Sequence, residues 1–81
     1  MKVQLKLFAV AKQLAGRDTV EIDLPERPSV GQLRAALARQ YPELTVVLAQ
    51  TTFAVDQEYA TDQTTLTSDS EVACIPPVSG G

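Results

Sequence analysis

Histidine is absent from this chain of 81 residues, and cysteine occurs once. The first absence removes the commonest general base at neutral pH and the commonest zinc ligand together, so no metal site is expected. A lone cysteine excludes an internal disulfide and fits a reducing compartment. No stretch approaches the ~20 consecutive apolar residues of a membrane-spanning helix. The opening "MKVQLKLFAV" alternates polar and apolar residues where a signal peptide would carry an apolar block. These features read as a cytoplasmic chain with no membrane segment. A phosphate-cradling glycine loop and a nucleophile triad are also missing, which makes a stand-alone enzyme the weakest functional class.

Basic residues are missing from the second half. All seven (Lys2, Lys6, Lys12, Arg17, Arg27, Arg34 and Arg39) fall within residues 1–40, where four acidic residues leave a net charge of +3. Residues 41–81 hold six acidic residues and no base, a net charge of −6. An acidic solvated face is the ordinary outcome of such a bias. A docking surface for a basic partner, reached faster by electrostatic steering, is the functional one. The acidic half argues against nucleic acid, since it repels phosphate and no basic, aromatic-laced stripe accompanies it.

What is present is ordinary material for a small core: 44% of residues are hydrophobic. Val3, Leu5 and Leu7 alternate with Lys2, Gln4 and Lys6, the period of a half-buried strand. Val20, Ile22 and Leu24 repeat that pattern until Pro25 ends it. Between them "AVAKQLAG", with Val10 and Leu14 four apart, reads as a short helix closed by Gly16. The main helix is expected over Ser29–Tyr41. Ser29 serves as N-cap, Gln32 completes a capping box, Val30, Leu33 and Leu37 share one face, and Pro42 stops it.

"TTFAVDQEYA" reads as a hairpin of Phe53–Val55 and Glu58–Ala60 around Asp56–Gln57, a turn without glycine. Leu66 is an isolated loop anchor. "SEVACI" forms the last strand, which Pro76 and Pro77 terminate. The class is α+β, a mixed sheet of about five strands packed on one main helix.

Strand alternation places two large apolar residues on the face that should be wet. Phe8 falls on the side of Lys6 and Gln4, and Ile75 on the side of Glu71 and Ala73. Tyr59, if it shares that face, completes a docking patch. Cys74 alternates with Val72 on the apolar side and reads as a small core hydrophobe.

The ending "IPPVSGG" is the most specific stretch. A terminal glycine pair arises by chance in roughly 1 chain in 200. Two prolines stiffen the exit from the sheet, and the four residues from Val78 to Gly81 then reach at most about 13–14 Å. Two glycines bring a carboxylate to the end of the thinnest thread a chain can make. Domain organisation follows: residues 1–77 as the body and residues 78–81 as a flexible tail. A carboxylate is a poor electrophile, so the tail needs activation by a partner before a sulfur or nitrogen nucleophile can take it.

"LFAVAKQLAG", "VGQLRAAL" and "LTSDSEVACIPPVSGG" together resemble the small subunits of molybdopterin synthase, ubiquitin-like β-grasp sulfur carriers of molybdenum cofactor biosynthesis. The resemblance runs the length of the chain, and the two prolines before the diglycine favour this branch over ubiquitin or the thiamine-pathway carrier. It implies a cycle in which an E1-like adenylyltransferase uses ATP to form an acyl-adenylate on Gly81. A sulfur donor then converts this to a thiocarboxylate. The tail would thread into the large subunit of a heterotetramer and give sulfur to cyclic pyranopterin monophosphate.

By the same resemblance, Gly81 bears the sulfur, while Gly80, Ser79 and Val78 thread the channel. Phe8, Tyr59 and Ile75, with Pro76 and Pro77, would meet the partner. The chain itself would bind no cofactor. Cys74 departs from a larger apolar residue common in relatives, and Asp56 from asparagine. Two other readings remain: a carrier for another pathway (thiamine thiazole or tungsten cofactor), and a ubiquitin-like docking module whose tail is never activated.

Overall fold

Alternation in the first residues produces the strand on which the rest is assembled. In the computed structural model, which describes residues 1–77, β1 (Lys2–Leu7) turns Val3, Leu5 and Leu7 inward. β2 (Thr19–Asp23) pairs with it antiparallel, Leu5 opposite Val20 and Val3 opposite Ile22. α1 (Ala9–Ala15) joins them. Gly16 closes it at φ 73°, a left-handed conformation that needs no Cβ relief in glycine, and donates its N–H to the Lys12 carbonyl at 2.9 Å. The buried face of α1 differs from the sequence expectation. Ala11 is inside, whereas Leu14 is 38% exposed and Val10 half-buried. A small side chain at the contact lets the short helix lie close to the body.

α2 (Val30–Gln40) begins as its capping box dictates. Ser29 Oγ accepts from the Gln32 backbone N–H at 3.1 Å, and Gln32 Oε1 accepts from the Ser29 N–H at 2.8 Å. Val30, Leu33, Ala36 and Leu37 point into the core. Gly31 in its first turn has a packing reason. Its N–H donates to the Asp62 carbonyl at 2.9 Å, and a Cβ there would stand 3.3 Å from that oxygen. Beyond Tyr41 the chain forms a 3₁₀ turn (Pro42–Leu44) and a one-turn helix, α3 (Thr45–Leu48). Both lie in a stretch without a clear sequence signal, and they deliver Leu44 and Leu48 to the core.

β3 (Thr52–Val55) and β4 (Glu58–Ala60) form the expected hairpin. Its two turn residues, Asp56 and Gln57, have φ of 51° and 71°, the mirror-image turn that usually recruits glycine. Aspartate tolerates this conformation, and here it is tied down. Asp56 donates its N–H to the Glu71 carbonyl at 2.8 Å, and its Oδ1 accepts from the Glu71 N–H at 2.9 Å. β5 (Val72–Ile75) enters between β1 and β3, parallel to the first and antiparallel to the second. The sheet order is β2-β1-β5-β3-β4. Leu66 anchors the long connection to β5 as expected, buried, with its N–H on the Pro28 carbonyl at 2.7 Å. The result is an α+β, ubiquitin-like β-grasp in which a mixed five-stranded sheet holds α2 against one face.

Candidate functional site

The other face of the sheet carries the candidate site. Cross-strand partners share a face, so the pairings Thr19–Lys6, Lys6–Ala73, Ala73–Ala54 and Ala54–Tyr59 trace one row across all five strands. Tyr59 therefore belongs to the outer face, where it is 78% exposed. Ile75 lies two residues beyond Ala73 on the same face, opposite Thr52. Phe8 follows Leu7 in extended conformation, φ −129° and ψ 157°, and is 45% exposed. Carrying the β1–β5 register of Lys6–Ala73 and Leu7–Cys74 one step further puts Phe8 beside Ile75.

The outer face is thus divided. On β1 and β2 it is polar, with Gln4 exposed and Lys2 and Glu21 paired at 3.6 Å. On β5, β3 and β4 it is mainly apolar, with Ile75, Ala73, Ala54 and Tyr59, the exposed Thr52 beside Ile75 as the polar exception, and Phe8 at the boundary. The three large groups anticipated for a docking patch share this half. Pro76 and Pro77 leave directly from β5, the central strand of the sheet, Pro76 buried and Pro77 exposed. Val78, Ser79, Gly80 and Gly81 lie outside the described residues.

Beneath the patch sits an arrangement that reading the sequence missed. Arg34 of α2 donates from Nη1 to the carbonyls of Leu48 and of Thr51, the latter at 2.8 Å. Its Nη2 reaches Asp62 Oδ1 at 2.9 Å, and its guanidinium carbon stands 5.0 Å from the centre of the Phe53 ring. Nε is buried without a partner among the described residues. Arg34 follows Val30 by four residues, which places it beside the apolar stripe of α2 and was the one available signal. The fork fastens α2 to the start of β3, the strand that flanks β5.

Cys74 is fully buried, as its alternation implied. Burial pushes its thiol up to about 11, against a smaller opposing influence from a Thr51 hydrogen bond and the Arg34 charge. A thiol so placed stays protonated and unreactive. Among the described residues no group of three or more His, Cys, Asp or Glu side chains could hold a metal ion, and no helix is long and apolar enough to cross a membrane. The described surface thus offers a face for a protein partner beside the root of the tail.

Known proteins match this arrangement over its whole length. "Molybdopterin synthase sulfur carrier subunit" of Dictyostelium discoideum is 42% identical over 82 residues, covering 96% of this chain and 94% of the relative. The protein of the same name from Caenorhabditis elegans is 36% identical over 83 residues, 100% of this chain and 99% of its own. Among solved structures, SAMP1 from Haloferax volcanii superposes with a TM-score of 0.86 at 29% identity, covering all of both chains. The model of the ThiS family matches residues 5–81, from the inward Leu5 of β1 to the last glycine, and the chain belongs to that family.

Proposed function

We propose that this chain is the sulfur carrier subunit of a molybdopterin synthase, with the carboxylate of Gly81 as the group that is activated. The observation that carries the reading is the apolar half of the outer sheet face. It surrounds the strand from which the prolines lead to the diglycine, so a partner docked there stands where the tail begins. The full-length similarity to sulfur carrier subunits supports it. Phe8, Tyr59 and Ile75, with the exposed Pro77, meet the large subunit, the buried Pro76 fixes the exit of the chain rather than touching the partner, and Val78, Ser79, Gly80 and Gly81 enter its active site.

The chemistry is divided between partners. An E1-like adenylyltransferase joins the Gly81 carboxylate to AMP from ATP, releasing pyrophosphate. A sulfur nucleophile then attacks the acyl carbon and AMP leaves, giving the thiocarboxylate. In the large subunit this sulfur passes to cyclic pyranopterin monophosphate, and hydrolysis restores the carboxylate. Two sulfurs make the dithiolene, so carriers act twice per product in a heterotetramer with two small subunits. The chain contributes a docking face, a thread and a terminus. It binds no cofactor of its own, and ATP is consumed by the activator.

Intact-mass measurement after incubation with ATP, the host's activating enzyme and a sulfur source tests this. The expected gain equals one oxygen replaced by sulfur, mapped to Gly81. An unchanged mass with a demonstrably active enzyme set refutes the carrier reading and leaves a docking module. A second reading, a carrier for thiamine thiazole or a tungsten cofactor, is favoured by the family model matching almost the whole chain. A thiamine-thiazole carrier gains the same mass but gives no sulfur to the pterin precursor, whereas a tungsten-cofactor carrier sulfurates the pterin and differs only in the metal inserted later.

A further inference from the structure

Two adjacent residues break local rules at the junction of β1 and α1. Phe8 occupies the N-cap of α1, where a side-chain oxygen ordinarily satisfies a free backbone N–H, and it makes no such bond. Ala9, the first helical residue, has φ 52°, a left-handed conformation that residues bearing a Cβ adopt rarely and at a cost. Strain of this kind persists where the surroundings over-determine it, and functional sites are where it collects. Here the surroundings are definite. Leu7 is fixed inward, its N–H on the Asp18 carbonyl at 2.7 Å, and the Phe8 carbonyl accepts from Ala11 at 3.1 Å and from Lys12 at 3.4 Å.

Strand passes to helix with no loop, so the whole change of direction is taken at Ala9. That leaves Phe8 extended just beyond β1, where the β1–β5 register carried one step past Leu7–Cys74 sets it beside Ile75. With β1 fixed by its pairings and α1 by the buried Ala11, a right-handed Ala9 cannot join the two while Phe8 stays extended on this face.

We infer that Ala9 is a positioning residue for docking: its left-handed backbone holds Phe8 on the outer sheet face, in register with Ile75. The inference rests on the docking reading above and adds the device that presets its aromatic anchor. Presetting matters because each side chain ordered only upon binding subtracts from affinity.

The test uses the full chain and titrates it with the large subunit of the same organism's synthase, measuring affinity and melting temperature together. Ala9→Gly removes the strain but widens the choice of backbone conformations. Replacement of Ala9 by D-alanine, through chemical ligation, removes the strain while keeping a Cβ that favours positive φ. Expected are binding about two- to five-fold weaker for Ala9→Gly without loss of melting temperature, and full affinity for the D-alanine protein. Phe8→Ala is the control. If it binds weakly while Ala9→Gly binds as tightly as the unaltered chain, Ala9 is merely tolerated strain and the assignment falls alone. A D-alanine protein as weak as Ala9→Gly also overturns it. Unchanged binding by Phe8→Ala removes Phe8 from the docking face and overturns the inference built on it.

Discussion

Cys74 shows how one residue's environment decides its chemistry. In a chain proposed to carry sulfur, a free thiol tempts assignment as the carrier atom, yet its surroundings silence it. The thiol lies between Thr51, Arg34 and the apolar core, with its ordinary value of 9.0 raised to about 11 by burial. Folding therefore favours the protonated form. Its contribution to stability is whole below pH 9 and fades as the pH climbs through 11. Urea denaturation across that interval should show a loss of stability that is smaller in Cys74→Ala than in the native chain. A thiol reagent at pH 8 should label Cys74 only after unfolding. Rapid labelling of the folded protein would contradict the buried placement.

At the scale of elements, two junctions hold the site-bearing strands in place. The β3–β4 turn depends on Asp56, which adopts φ 51° and receives the Glu71 N–H. Asp56→Ala loses both the tolerance and the acceptor, so a destabilisation of about 1–3 kcal/mol is expected in equilibrium unfolding. Asp56→Asn keeps a side-chain oxygen and the same backbone tolerance, and should remain within about 0.5 kcal/mol of the native chain. Equal losses in both variants would assign the effect to charge instead. The second junction is the Arg34 fork between α2, α3, β3 and the loop at Asp62. Lysine lacks the planar fork needed for these simultaneous bonds, so Arg34→Lys should cost about 1–3 kcal/mol in urea. Full stability would mean that the network is incidental.

For the whole molecule, the division of the outer face predicts separable defects. Phe8 is already 45% exposed, so Phe8→Asp should leave the melting temperature within a few degrees of the native value while weakening association with the large subunit at least about ten-fold. Calorimetric titration measures the second and thermal unfolding the first. Removal of Gly81 should do the reverse, with docking intact and sulfur transfer lost. Transfer at the normal rate without Gly81 would end the proposed mechanism. The charge asymmetry belongs to this scale too. With all basic residues in the first 40 positions, association with a basic partner should slow as salt rises.

Sequence alone determined what is local or periodic. The two-residue period of Val3, Leu5 and Leu7, the capping box of Ser29 and Gln32, and the prolines after Ile75 each act over a few bonds, so the elements they specify were legible. The inward Cys74 and outward Phe8 and Ile75 followed from the same alternation. Tertiary structure decided everything that depends on residues far apart in the chain. Which face Tyr59 joins was set by its pairing with Ala54, and the facing of a three-residue strand is fixed by its neighbours. The tolerance of a turn without glycine came from Glu71, fifteen positions away. Arg34 became a fork only where Leu48, Thr51 and Asp62 converged on it, and α3 formed because Leu44 and Leu48 had a core to enter. Short segments without a periodic pattern draw their stability from such packing, and no reading along the chain contains it.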